Sequence, residues 1–215
     1  MRVPTHHQTA ARSPHRDPKP PTGVHVRPVS PGDGAAIWEL VRASQVLDLN
    51  SAYLYLLLCR DFQDTCVVAE QSNRLLGFVS GYRPPRAPGV IFLWQIGVAT
   101  AARGTGLGKR LVEAFLRAPG CRGAHSLETT VSPSNAASLG LFASVARDLG
   151  ASLTRLPGFA DSDFPAADGR SHEAEDRYCI APLPLNRAVR GNGDATAVDS
   201  DPNATPAPPT TRTRA

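Results

Sequence analysis

The chain predicts a three-layer α/β fold, an α+β mixed sheet with helices on both faces, carried by residues 23–186. Three observations lead there. Apolar runs of strand length alternate with runs of helical period in the order β-α-α-β-β-β-α-β-α-β-β. A mostly apolar stretch, Ile91 to Ala99, leads into Arg103-Gly-Thr-Gly-Leu-Gly-Lys-Arg110 and then an amphipathic segment. The two ends, 1–22 and 187–215, hold too few large apolar side chains to join a core and are expected to be disordered tails.

A first strand fits 24–29. Ser30-Pro31-Gly-Asp33 has the composition of a helix start, with a Ser cap, Pro at the first helical position and an early acid. That helix continues through Ile37, Trp38, Leu40 and Val41. A second, shorter helix follows Asn50-Ser51, with Tyr53, Leu54, Leu57 and Leu58 expected on its buried side. Residues 65–70 and 75–82 read as a hairpin closed by Gln-Ser-Asn-Arg. A Pro-rich loop at 84–89 precedes the strand at 90–99. After the glycine turn, Leu107, Leu111, Val112, Phe115 and Leu116 form one helical face. Residues 126–132 form another strand. The helix at 135–149 is closed by Gly150, with Leu139, Phe142, Val145, Ala146 and Leu149 facing inward. Residues 151–156 and 177–180 suit a final antiparallel pair.

Charge and cysteine content narrow the function classes. The two tails carry the whole net charge of +4, because residues 23–186 hold equal numbers of basic and acidic side chains. A neutral core has no concentrated basic face, so no nucleic-acid partner is expected. The tail His6, His7 and His15 belong to a solvated low-complexity arm rather than a metal site. Cys59, Cys66, Cys121 and Cys179 have neither zinc-ligand spacing nor a disulfide framework, and reduced thiols are the simplest reading. No segment has the length of a membrane span or the apolar core of a signal peptide. A cytoplasmic protein without a bound metal is expected.

The glycine turn carries the chemistry. A strand that turns tightly into a helix aims several backbone N–H groups and the positive helix end at one point, an anion cradle suited to pyrophosphate. The glycines at 104, 106 and 108 have the wrong spacing for a dinucleotide fingerprint. Gly108-Lys109 followed by Arg110 is not a Walker loop. What remains, Arg103-x-x-Gly106-x-Gly108 after a strand ending near Val98, resembles the coenzyme A signature of the GNAT acetyltransferases. The element order resembles that family along the whole core.

Within the superfamily, one branch is closer. Leu47-Asp-Leu-Asn-Ser-Ala-Tyr53, Phe92-Leu-Trp-Gln95, Leu127-Glu-Thr-Thr130, Ser134-Asn-Ala-Ala-Ser138 and His172-Glu-Ala-Glu175 resemble the diaminobutyrate acetyltransferases of ectoine biosynthesis. The resemblance implies the GNAT acyl-CoA N-acyltransferase fold, whose splayed central strands admit the pantetheine arm. It implies transfer of acetyl from acetyl-CoA to the γ-amine of L-2,4-diaminobutanoate, for compatible-solute synthesis. It also implies a homodimer, for which the last strands offer a surface. Val98, Arg103, Gly104, Gly106, Gly108 and Asn135 would bind the coenzyme; Asp48, Ser51, Tyr53 and Trp94 the substrate; Glu175, Glu173 and His172 would carry catalysis. Replacing Gly106 by Val is expected to weaken acetyl-CoA binding without unfolding the chain.

The reaction sets its own demands. A γ-ammonium of pKa about 10.4 is neutral in roughly 1 molecule in 2,500 at pH 7. The site must therefore hold a cation and then take its proton. A Glu of pKa about 4.3 is some six units too acidic, which burial, a raised pKa and a water relay would have to bridge. An alkaline optimum is expected. Choice of the γ-amine comes from geometry, with the α-ammonium and α-carboxylate pinned away from the thioester. Trp94 and Tyr53 would wall the slot. Other roles suit the same residues: Asp48 and Asn50 as a helix cap, Trp94 as core, His172 to Glu175 as an exposed loop. The usual Tyr in the helix after the fifth strand is replaced by Phe142, which leaves the proton donor to the thiolate unassigned. Rival readings are acetylation of another small amine (a polyamine or amino acid), of protein lysines, or an acyl-CoA sensor without catalysis.

Overall fold

The computed structural model describes residues 23–44, 46–165 and 172–184. Both tails, with His6, His7 and His15, lie outside them. The described residues form one seven-stranded mixed sheet in the order β1-β2-β3-β4-β5-β7-β6. The strands are β1 His25–Pro28, β2 Cys66–Gln71, β3 Arg74–Tyr82, β4 Val90–Val98, β5 Ser126–Val131, β6 Ser152–Phe159 and β7 Glu175–Ala181. Helices α1 Gly34–Ser44 and α2 Ala52–Asp61 cover one face; α3 Leu107–Arg117 and α4 Ala136–Leu149 cover the other. The three predicted layers are present. Among the described residues no helix is long and apolar enough to cross a membrane.

Two apolar cores hold the layers together, as hydrophobic burial on both faces of a sheet requires. Leu107, Leu111, Val112 and Phe115 of α3 and Phe142, Val145 and Ala146 of α4 pack on Val79, Ile91, Leu93 and Leu127. On the opposite face Ile37 and Val41 of α1 and Tyr55, Leu58 and Cys59 of α2 pack on Val68 and Phe78. Gly34 permits the close α1–α2 approach, since a Cβ there would come within 2.9 Å of the Leu56 side chain.

The predicted phase of α2 needs correction. Tyr53 is 64% exposed, and the buried stripe runs through Tyr55, Leu58 and Cys59. Six apolar residues in succession, Tyr53 to Leu58, leave no polar gap to fix the phase. A tertiary contact fixes it instead. The Tyr55 hydroxyl donates to Gln95 Oε1 at 3.0 Å and its ring meets Phe78 edge-on.

The local turns obey the sequence chemistry. Ser72 and Asn73 both adopt positive φ (49° and 61°), a two-residue turn at the centre of the Gln-Ser-Asn-Arg connection of the expected hairpin. The helix start at Ser30 is a single 3-10 turn, Pro31–Asp33, ahead of α1. The Asp33 carboxylate accepts from the Ser30 N–H and hydroxyl, and from Arg27 at 2.7 Å. Arg27 also reaches Glu70 at 2.8 Å, so one guanidinium ties β1, the 3-10 turn and β2.

The hydrogen bond from Arg27 holds the Asp33 carboxyl below its ordinary range, against the opposing effect of burial. A depressed carboxylate contributes stability that is complete above its unfolded pKa, about 3.9, and is lost as pH falls through the folded value. Asp33→Asn should therefore cost about 2 kcal/mol at pH 7, the range for hydrogen bonds to charged groups. That cost should shrink in acid. Urea unfolding of both proteins at pH 7 and pH 3 checks it; an equal gap at both pH values would exclude the linkage.

Candidate active site

The site begins with an opening in the sheet. β4 and β5 run parallel and pair only from Val90↔Ser126 to Leu93↔Thr129. Beyond Leu93, β4 continues alone on that edge to Val98, while Thr130 and Val131 pair with β7. A bulge marks the parting: Ser80 opposes Gln95 and Gly81 opposes Leu93, so Trp94 is the extra residue. A bulge inserts one residue and turns the side chains beyond it to the other face. Ile91 and Leu93 join the core under α3 and α4, whereas Gln95 turns to Tyr55 and Gly97 lies against Phe78 and Leu47.

Three clefts run in series through this opening. The first, about 640 Å3, lies over the glycine turn and is lined by Val98, Arg103, Gly104, Gly106 and Gly108, with Ala137 and Leu141 of α4. The second, about 590 Å3, shares Val98, Arg103, Gly108 and Leu141 with it and extends to Ser132 and Asn135. The third, about 400 Å3, takes over at Ser132 and Asn135 and reaches Asp48, Trp94, His172 and Glu175. All six residues expected to bind the coenzyme thus lie along one channel.

The glycine turn has the local form an anion cradle needs. Gly104 and Gly106 hold φ of 73° and 79°, and Gly106 caps α3. Gly108 has no such demand. A Cβ there would meet Leu141 at 3.5 Å, an ordinary contact, so the protein itself has room for a side chain. What a side chain would fill is the cleft. Among the described residues, no backbone acceptor is present for the amides from Gly104 to Gly108, which leaves them available as donors at a helix start. These features fit a pyrophosphate. Asn135 caps α4, its Oδ1 accepting from Ser138 N at 3.0 Å.

The polar slot at the other end is bounded by Trp94 and by Phe159, Phe164 and Phe142. The charged side chains lining it are Asp48, His172 and Glu175. Glu175 Oε1 accepts from the Ser132 hydroxyl at 2.9 Å. His172 stacks on Phe164 with ring centroids 3.8 Å apart, and its Nε2 lies 3.6 Å from Asp48. Its Nδ1–H donates to the Glu173 carbonyl at 2.6 Å, which fixes the tautomer. That bond first, then Asp48, raises the imidazole pKa above its usual value, with burial opposing.

Three expected site residues stand elsewhere. Glu173 is exposed and does not line the slot; its carboxylate accepts from the Ser134 N–H and hydroxyl, bracing the turn that carries Asn135. Ser51 caps α2, accepting from Tyr53 N at 3.3 Å. Tyr53 projects outward and is absent from the lining within one chain. Glu173 and Glu175, expected to act together, therefore part, because β7 begins only at Glu175 and Glu173 precedes regular strand.

Sequence reasoning missed two residues that build the slot. Gln95 is buried, accepts from Tyr55 and donates to the Asp48 carbonyl at 3.1 Å, which pins the segment before α2 to the sheet. Ser132 sits where slot and channel meet. A polar residue inside an apolar strand was the available signal for Gln95; Ser132 had none. The four cysteines are free thiols, and burial pushes Cys59 up to about 12 and Cys66 to about 11.

Comparison with known proteins agrees with this geometry. The acetyltransferase (GNAT) family model matches residues 35–146. L-2,4-diaminobutyric acid acetyltransferase of Nocardia farcinica is 47% identical over 152 residues, covering 71% of this chain and 77% of that protein. The enzyme of the same name from Halomonas elongata is 44% identical over 161 residues, 74% of this chain and 82% of its own. A solved structure of diaminobutyrate acetyltransferase from Paenibacillus lautus, in complex with L-2,4-diaminobutyric acid and coenzyme A, superposes with a TM-score of 0.71. It is 40% identical and the match covers 74% of this chain and 95% of that one. On that shared length and identity, the chain belongs to the acetyltransferase (GNAT) family and, within it, to the L-2,4-diaminobutyric acid acetyltransferases.

Proposed function

We propose that this enzyme transfers acetyl from acetyl-CoA to the γ-amine of L-2,4-diaminobutanoate, the acetylation step of ectoine synthesis. One observation carries the choice of substrate: the slot's charges mirror those of the diamino acid. Two carboxylates, Asp48 and Glu175, face two ammonium groups, and the imidazole of His172 with its raised pKa suits the α-carboxylate. Trp94 supplies a flat wall for an ammonium. Acetyl-CoA lies along the channel, with its pyrophosphate on the amides of residues 104–108 and its pantetheine beside Asn135 and Val98. Of the expected catalytic group, Glu175 is the proton acceptor, and Glu173 with His172 shapes its surroundings.

The γ-ammonium gives up one proton before attack, which is rare at neutral pH for a group of pKa about 10.4. Turnover should therefore climb with pH from 7 to 9. Selection of the γ-nitrogen results from pinning the α-substituents at Asp48 and His172, which line the slot but not the channel. Side-by-side turnover of diaminobutanoate, ornithine and lysine tests the assignment. A preference for either longer substrate would move it to another small amine. Acetyl-CoA binding with no turnover of any of the three would leave an acyl-CoA sensor.

The working unit is a cytoplasmic homodimer of a folded domain at 23–186, serving osmoprotection. Four free thiols support a reducing compartment. The dimer is supported by Val46, Leu49, Tyr53 and Leu56, all between 44% and 70% exposed and close in sequence to Asp48. The last strands, the surface first expected, expose only Phe159 among the large apolar residues described. A chain trimmed to 23–186 should sediment as a dimer at micromolar concentration and retain full turnover. A monomer, or a large loss of activity on trimming, would contradict these assignments in turn.

A further inference from the structure

Acetyl transfer leaves coenzyme A as a thiolate, and the wall of the slot on the α4 side offers it no acid. Phe142, 2% exposed, stands there without a hydroxyl. We propose that Ser132 is the proton donor, its hydroxyl relaying to the coenzyme sulfur a proton held on Glu175. The inference rests on the acetyl-transfer reading above and adds a residue to it.

Position selects Ser132. The thioester must lie where amine and pantetheine meet, at the residues common to both cavities. These are Val46, Leu47, Ile96, Ser132, Asn135 and Ser138. Two of them are hydroxyls. Ser132 Oγ is joined to the Glu175 carboxylate at 2.9 Å. The Ser138 hydroxyl has no hydrogen-bond partner among the described residues, and so no proton source. Glu175 lines the slot but not the channel, so it needs an intermediary to reach the sulfur. Ser132 is also held in place: its carbonyl accepts from Asn135 N at 2.9 Å, and Glu173 braces the neighbouring Ser134.

The protons balance. The ammonium first loses one proton to solvent through Glu175. The free nitrogen lone pair then forms the C–N bond at the thioester carbon, and the carbonyl π pair moves to oxygen. Nitrogen, now cationic, gives its second proton to the Glu175 carboxylate. As the oxygen pair returns, the C–S bond breaks and its electrons leave on sulfur. The sulfur takes the Ser132 Oγ proton while Oγ takes the one from Glu175. Ser132 ends unchanged, the carboxylate is restored, and the products are amide and thiol. The net transfer from a carboxyl of pKa about 4.3 to a thiolate of conjugate pKa about 8.5 is downhill by roughly four units. Concert avoids a free alkoxide.

The test compares two acetyl donors, acetyl-CoA and its selenoester analogue, in which selenium replaces the reacting sulfur. The selenolate is a far weaker base and leaves without an acid, since leaving-group basicity governs departure. Ser132→Ala should slow single-turnover acetylation from acetyl-CoA by about 100-fold, the usual worth of a general acid. With the selenoester it should come within about 10-fold of the native enzyme. Calorimetric affinity for acetyl-CoA should not change, and Ser132→Thr, which keeps the hydroxyl, should restore most of the rate. An equal defect with both donors would mean that Ser132 only orients Glu175, and would overturn the relay. So would a donor-dependent defect in Ser138→Ala in place of Ser132→Ala. A native enzyme inert toward diaminobutanoate with either donor would instead sink the substrate assignment, and the relay with it.

Discussion

Glu175→Gln should lower turnover of diaminobutanoate by about 100-fold or more while acetyl-CoA affinity stays unchanged, as for loss of a general base. The amide keeps the shape of the side chain and can still accept from the Ser132 hydroxyl, 2.9 Å away in the native enzyme. It cannot take a proton from the amine. Glu173→Gln is the informative companion, because that carboxylate braces Ser134 rather than facing the slot. Its effect should appear chiefly in KM for acetyl-CoA, through the turn that carries Asn135, the pattern expected of a positioning group. Steady-state kinetics from pH 7 to 9 separate the two. Near-native kcat for Glu175→Gln across that range would remove Glu175 from the mechanism and return the role to Glu173, His172 or a water chain.

Gly108→Val is expected to weaken acetyl-CoA binding by about 100-fold, or about 2.7 kcal/mol, without loss of stability. The signs oppose each other for a physical reason. Gly108 lies in the first turn of α3 at an ordinary φ, and a Cβ would touch only Leu141 and Val98, at 3.5 to 3.9 Å. Valine is the better helix former, by a few tenths of a kcal/mol. The added branches would enter the cleft that Gly108 lines beside Gly104 and Gly106. Gly106→Val, the change the sequence first suggests, is the poorer probe. Its φ of 79° strains any β-branched residue, so lost binding there would mix with lost folding. Calorimetry beside a thermal melt checks Gly108→Val; unchanged affinity in a folded protein would dismiss the cradle.

Much of the architecture was legible in the chain because it is set by local rules. Strand alternation, helical period and the capping residues placed all seven strands and four α-helices within a few residues. The hairpin was readable because two β-rich runs flank the short polar Gln71–Arg74 joint, and the turn at Gly104 and Gly106 because few residues tolerate positive φ. The glycine turn proposed to hold the pyrophosphate was readable because Arg103 to Gly108 are contiguous, whereas Ser132, Asn135 and Leu141 reach the same channel from distant elements. Family resemblance supplied the substrate and the far-flung Asp48, Trp94, His172 and Glu175, which no spacing rule connects.

Tertiary structure decided the rest. The phase of α2 depended on a hydroxyl finding Gln95, 40 residues away, which six successive apolar residues could not announce. The bulge at Trp94 reversed the facing of every later residue in β4, and only the register against β3 defines it. The parting of Glu173 from Glu175 reflects where β7 begins to pair with β6, a contact between segments distant in sequence. The junction at Ser132 exists only because two parallel strands separate beyond Leu93 and leave its hydroxyl between two cavities. The amino-acid order alone sets the glycine turn proposed for the coenzyme, through conformational restrictions local to each residue. Where the reacting groups meet was decided by the folded sheet, because long-range pairing and burial, not neighbouring residues, bring them together.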